Sequence, residues 1–412
     1  MIELFFPEPQ DLLPLRSGPL APHLDRFATL LAHQGYCRAE GRRRVRLVAD
    51  LSHWLAERRI RLEQFDEHQT TAFIQTRWKT YSKKGGELRT LKLLLWHLRQ
   101  TGVIPIPRPP LMRSSLERLV GEYEQFLLQQ RGLLPQSART YLPVVRRFLR
   151  HRFSDGQVRL RHLQAGDAAN FILQTSERCG RRSLQATTNV LRGFFRFLLQ
   201  HGHITTPLAN AVPTVAARRL AELPKSLEPV QIRKLLRSCD RRRKVGRRDY
   251  AILLLLARLG LRAGEVAQLC LEDIDWRVGE VSVRGKGRRV DRLPLPHDVG
   301  RAIANYLKTR PSVGSSRKVF LLSKAPYQGF AGSSSVGELV RRSLVRAHLD
   351  PPHKGAHLLR HGLATRMLRG GASLTQIGQI LRHQRAQTTQ IYAKVDLNAL
   401  RGLAQPWPGG AR

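Results

Sequence analysis

The alternation of apolar and polar residues divides the chain into two helical stretches and a mixed one. Apolar residues at i, i+3 and i+4 recur through residues 1–105 and 115–205, and each stretch predicts three or four amphipathic helices. The two stretches echo one another. LDRFATLLAHQGY pairs in kind with LERLVGEYEQFLLQQRG, TAFIQT at 71–76 with ANFILQT at 169–175, and LLLWHLRQTGVI with FFRFLLQHGHI. Such a repeat predicts a small helical module present twice. Prolines cluster in IPIPRPPLMRSS at 104–115 and in the segment at 205–230. Proline removes a backbone donor and keeps the preceding residue out of helical geometry, so both segments predict linkers. The domain reading is 1–105, 115–205 and 228–412.

The third stretch changes period. RRDYAILLLLARLGLRAGEVAQL predicts two helices broken at Gly260. Next, Val281 and Val283, a Gly-Lys-Gly turn, and Val290, Leu293 and Leu295 predict an antiparallel hairpin or small sheet. Helical spacing returns in VGRAIANYLKTR and again from His357 to Lys394. There His357, Arg360 and His361 share one side of a predicted helix, while Leu359, Leu363 and Met367 form a separate inward stripe. Gly370 and Gly371 end that helix. Ser373 and Gln376 form a capping box for the next, whose buried stripe is Leu374, Ile377 and Leu381. His383 follows, and a further short helix carries Tyr392. The expected fold is mainly α and multidomain: helical modules plus a mixed α-helical domain with a small antiparallel β-sheet.

Charge narrows the function. Lys and Arg number 71 against 31 Asp and Glu, a formal net charge of +40. A field of that sign attracts phosphate polymers or anionic membranes. The longest apolar run, AILLLLARLGL, is broken by Arg258 and falls short of the ~20 residues that a spanning helix needs. The N-terminal MIELFFPEPQ has no basic region ahead of an apolar one, so no secretory signal is expected. Four scattered cysteines without a C-x-x-C pair fit reduced thiols better than disulfides or a zinc site. The expectation at this point is a nucleic-acid-binding protein of the cytosol.

The stretch from His357 to Lys394 crowds histidines and arginines around one tyrosine. His353, His357 and His361 recur every four residues, a spacing that suits a metal. Lys354, Arg360 and Arg366 would repel a cation there, and no acid or cysteine stands nearby, so no metal and no cofactor is expected. Taken singly, each histidine could be an ordinary core or surface residue, and Tyr392 a packing aromatic.

As a set these residues resemble the signature of the tyrosine recombinases, also called the phage integrase family. That pattern runs H-x-x-R-H, a helix, a G-G-A turn, a helix ending in L-G-H, and a tyrosine nine residues on in T-x-x-Y. Arg382 stands where the pattern has glycine. ARLGLRAGEVAQLCLEDID resembles the family's first arginine box, and VRGKGRRVDRLPLP its lysine hairpin, though the basic residues of the second strand are placed differently. The likeness is strong over 228–400 and looser over 115–205, where PQSARTYLPVVRRFLRH resembles the core-binding domain. Segment 1–105 would be an added module, a candidate duplicate of that domain.

The resemblance implies a site-specific DNA recombinase with catalytic residues Arg262, Lys286, His357, Arg360, His383 and Tyr392. Tyr392 would attack phosphorus to give a 3′-phosphotyrosyl link. Arg262, oriented by Glu265, and Arg360 would clamp the non-bridging oxygens, as a planar, permanently charged fork suits. Lys286 would protonate the leaving 5′-oxygen, His357 would assist proton transfer, and His383 would bind phosphate or orient the site. Neither ATP nor a divalent ion is needed. Double-stranded DNA is the expected partner, with a homotetramer on paired sites, accessory recombinases as further candidates, and residues 396–412 as a candidate docking tail. Two other readings compete: a non-catalytic DNA-binding accessory protein, and a type IB topoisomerase.

Overall fold

The computed structural model describes residues 2–80, 85–107, 114–154, 156–216, 226–285, 289–312 and 316–395. By packing, residues 1–106 and 222–412 form one compact unit and 107–221 a second. Among the described residues three main hydrophobic cores are present, one in each stretch that the periodicity marks out, with a smaller one around Leu363 and Tyr392.

The N-terminal stretch folds into α1 (Leu24–His33), α2 (Arg38–Glu57), α3 (Glu67–Thr80) and α4 (Glu87–Gln100). The next stretch repeats the order with α5 (Ser115–Gln125, continued by a π turn to Gln130), α6 (Pro135–Arg152), α7 (Ala165–Ser176) and α8 (Arg181–Gln200). The repetition extends to single positions. Buried Leu91, Leu94, Leu95, Leu98 and Ile104 answer buried Leu191, Phe194, Phe195, Leu198 and Ile204, each pair 100 residues apart. Gly102 and Gly202, at φ +70 and +69, close α4 and α8 in the left-handed conformation that glycine adopts without a Cβ clash. Before α3 and before α7 comes a 3₁₀ turn, Leu62–Gln64 or Leu160–His162. Each turn leads into a cap in which the side chain three residues on accepts from the cap residue's own N–H, Gln69 for Asp66 and Asp167 for Gln164.

The C-terminal stretch is built from α9 (Pro229–Arg237), α10 (Lys244–Arg258), α11 (Ala263–Gln268), α12 (His297–Leu307), α13 (Ser333–Arg346), α14 (His357–Arg369) and α15 (Leu374–Ile380). Helix α10 is buried over most of its length and packs against α12 and α14. An antiparallel sheet in the order β1 (Ile274–Asp275), β2 (Glu280–Arg284) and β3 (Val290–Pro294) lies between α11 and α12 in the chain. In the hairpin, Val281 pairs with Leu293 and Val283 with Asp291. Asp291 and Leu293 face the side that Val281 and Val283 bury, and Val290 is left 57% exposed.

Two helix ends matter for the site. Helix α10 stops at Gly260, where φ is +58 and an added Cβ would lie 2.7 Å from Leu381 Cδ2. Only glycine fits there, and the tight turn delivers the chain to Arg262. Gly371, at φ +86, ends α14, and Ser373 with Gln376 caps α15 as expected. No helix among the described residues is long and apolar enough to cross a membrane.

Candidate active site

Arg262 is the N-cap of α11, in extended backbone at φ −75 and ψ 149. Three residues on, the buried carboxylate of Glu265 accepts the Arg262 backbone N–H at 2.8 Å and its Nη1 at 2.7 Å. One carboxylate thereby caps the helix and fixes the guanidinium, whose side chain stays 36% exposed. Arg262 Nη2 also donates to the carbonyl of Arg382 at 3.2 Å.

Arg360 lies on α14 and is buried. Its Nη1 donates to the carbonyl of Gly260 and its Nη2 to the carbonyl of Leu381. One fork therefore grips the turn before Arg262 and the turn before His383. Burial draws its pKa down to about 10, with Arg262 and Arg382 adding repulsion.

Tyr392 sits in the 3₁₀ turn Gln390–Val395 and is 1% exposed. Its hydroxyl meets His361 Nδ1 at 2.7 Å. Burial pushes the phenol up to about 12, against a pull downward from Arg360, and burial brings His361 down to about 4, with His357 and Arg360 adding to it. The two meet at neutral pH as an uncharged phenol–imidazole pair, in which the tautomer of His361 sets which partner donates. His383 Nδ1 lies 2.7 Å from the hydroxyl of buried Thr389, and burial first, then Arg360 and Arg262, lowers its pKa to about 4.

A cavity of about 1020 Å³ opens beside Arg262 and His383, with Gly285, Arg289, Asp291 and Arg382 also in its walls. The fold thus brings together Arg262, Arg360, His383 and Tyr392, with His357 on the first turn of α14, its ring centroid 6.1 Å from that of His361. Lys286 lies outside the described residues, as does the tail 396–412. His361, bonded to Tyr392, was placed on the His357 face of this helix by the sequence but left out of the candidate set. Its signal was the second histidine of the H-x-x-R-H pattern, one helical turn from His357. Among the described residues, no group of three or more His, Cys, Asp or Glu side chains is placed to hold a metal ion.

A model of the phage integrase family matches residues 225–398, and one of the phage integrase N-terminal SAM-like domain matches 120–202. A putative integrase/recombinase of Sinorhizobium fredii, y4rA, is 44% identical over 96% of both chains. This chain belongs to the phage integrase family, the tyrosine recombinases. Another such protein of the same organism, y4rF, is 33% identical over 100% of the recombinase and 97% of its own length. Both cover the N-terminal stretch that the family models leave out. In fold, the recombinase is similar to XerH bound to a palindromic difH substrate in a post-cleavage complex, at TM-score 0.55, with 20% identity over 70% of this chain and 84% of the other. The chain is a tyrosine-type site-specific DNA recombinase.

Three histidines make the site of the recombinase acid-sensitive. His357, His361 and His383 all titrate below the ordinary value near 6.5, burial being the largest cause for each. Between the folded and unfolded values the unfolded chain binds more protons, so stability falls as pH drops. We expect the thermal unfolding midpoint to fall by about 4 °C or more between pH 6.5 and 4.5. His383→Gln should flatten that slope; an unchanged slope in the variant would count against the assignment.

Proposed function

We propose that the recombinase cuts duplex DNA by attack of the Tyr392 hydroxyl on a phosphodiester. The new bond is Tyr392 Oη to phosphorus, and the broken one is phosphorus to O5′. The product is a 3′-phosphotyrosyl link and a free 5′-hydroxyl, which takes its proton from Lys286. Arg262, held by Glu265, and Arg360 neutralise the non-bridging oxygens of the pentavalent transition state. His383 contacts the phosphate or orients the site, and His357 assists proton transfer. The observation that carries this reading is the grip of Arg360 on the carbonyls of Gly260 and Leu381, which sets the segments bearing Arg262 and His383 around one point.

In this arrangement Tyr392 is at rest. Its hydroxyl is spent on His361 and is out of solvent, so cleavage requires the turn Gln390–Val395 to release it toward the cavity. The phosphotyrosyl bond conserves the phosphodiester's energy, and a 5′-hydroxyl of a second duplex then attacks it to complete exchange. The working form is a homotetramer on two paired sites in the bacterial cytoplasm, with accessory recombinases as candidate partners. The chain divides into a catalytic domain at 228–412, a core-binding module at 115–205, and a copy of that module at 1–105. Residues 1–105 carry 17 Lys and Arg against 11 Asp and Glu, a charge that suits contact with phosphates.

Trapping tests the reading. On a nicked duplex carrying its own site, the protein should accumulate a covalent adduct, and peptide mass spectrometry should place the nucleotide on Tyr392. An adduct on another residue, or none at all, would remove it. Relaxation of supercoiled plasmid lacking any site would point instead to a topoisomerase.

A further inference from the structure

Arg382 is the residue that the family pattern would have as glycine, and its backbone has the conformation that glycine favours, φ +55. A side chain there strains the backbone, so its persistence calls for a compensating interaction. The side chain is 6% exposed, which leaves little of it to meet DNA. Its Nη2 donates to Glu265 Oε2 at 2.8 Å, on the same carboxylate that fixes Arg262. Its Nε lies 3.9 Å from Asp291 Oδ2, on the inward face of β3 opposite Val283. Nε and Nη1 are buried and have no hydrogen-bond partner.

We propose that Arg382 is a positioning residue that ties two pieces of the site together, the Glu265 carboxylate that orients Arg262 and the β3 strand through Asp291. Two arginines on one carboxylate hold it from two directions, so Glu265 keeps a single orientation and so does the Arg262 fork. A third guanidinium beside Arg262 and Arg360 would repel both if unpaired; Glu265 and Asp291 offset that charge. Asp291 is 39% exposed, so the pair sits at the edge of the site, with its arginine side buried and its carboxylate side partly in solvent.

The variant Arg382→Gly separates position from folding, because glycine relieves the backbone while deleting the ion pairs. In the free protein, amide hydrogen exchange over Val290–Pro294 should quicken at least several-fold in Arg382→Gly and in Asp291→Asn, with little further change in the double variant. Arg382→Lys, able to keep one of the two pairs, should lie between. The cleavage arm rests on the recombinase reading. At saturating DNA, single-turnover adduct formation should slow about 10- to 100-fold in Arg382→Gly, the scale of a misplaced catalytic group, while DNA affinity holds. Partial rescue by lysine is expected. Wild-type exchange in both single variants overturns the tie to β3. Equal losses of affinity and cleavage would overturn positioning and make Arg382 a phosphate contact. Should the wild type form no adduct, the recombinase reading fails, and the exchange measurement still decides the role of Arg382.

Discussion

Replacing Tyr392 with phenylalanine abolishes covalent protein–DNA adducts and leaves DNA binding intact. The change removes one oxygen and keeps the ring that packs with Leu363, Leu368 and Ile377 in a small separate core. His361 Nδ1 loses its partner, at a cost of about 1 kcal/mol, which the fold tolerates. Cleavage has no such tolerance. Without the phenol oxygen no phosphotyrosyl bond forms, and adduct formation falls by at least about 10⁴-fold. The measurement is adduct yield on a nicked substrate beside a binding isotherm on the intact site. Adducts that survive in the variant would show that the nucleophile lies elsewhere.

Arg360→Ala loses stability and cleavage together. The guanidinium is buried and donates to two carbonyls, and alanine would leave both unpaired away from solvent. Such a loss costs about 2–4 kcal/mol, or roughly 5–15 °C in unfolding midpoint. Cleavage falls further than stability, because the turns at Gly260 and Leu381 lose their common anchor as the phosphate loses a donor. Arg360→Lys separates the two effects. A lysine restores charge and can reach one carbonyl, so much of the midpoint returns, but a point charge cannot replace the fork. Wild-type cleavage by the lysine variant would refute the clamp role.

Much of the architecture was legible because local rules governed it. Helical periodicity marks α10 and α14, the glycines at 260 and 371 sit where a positive φ is needed, and Ser373 with Gln376 caps α15 from within four residues. The second strand of the hairpin was less legible. Its apolar residues marked a hairpin without saying which of them face inward; register with β2 puts Asp291 there and leaves Val290 out, since pairing decides which face is buried. Arg382 was legible in the sequence only as a departure from the glycine of the family pattern. The fold turns it inward onto Glu265, a partner 117 residues away.

The sequence by itself determined the helical modules, their repetition and the net charge of +40, which spacing and composition carry directly. Arg262, Lys286, His357, Arg360, His383 and Tyr392 became one candidate set only through their resemblance to the tyrosine recombinases. Only the tertiary structure decided how that set is held. Arg360 reaches a carbonyl 100 residues earlier, and Tyr392 rests on a histidine 31 residues before it. Hydrogen bonds between distant segments depend on how helices pack, and periodicity in one dimension carries no record of that packing.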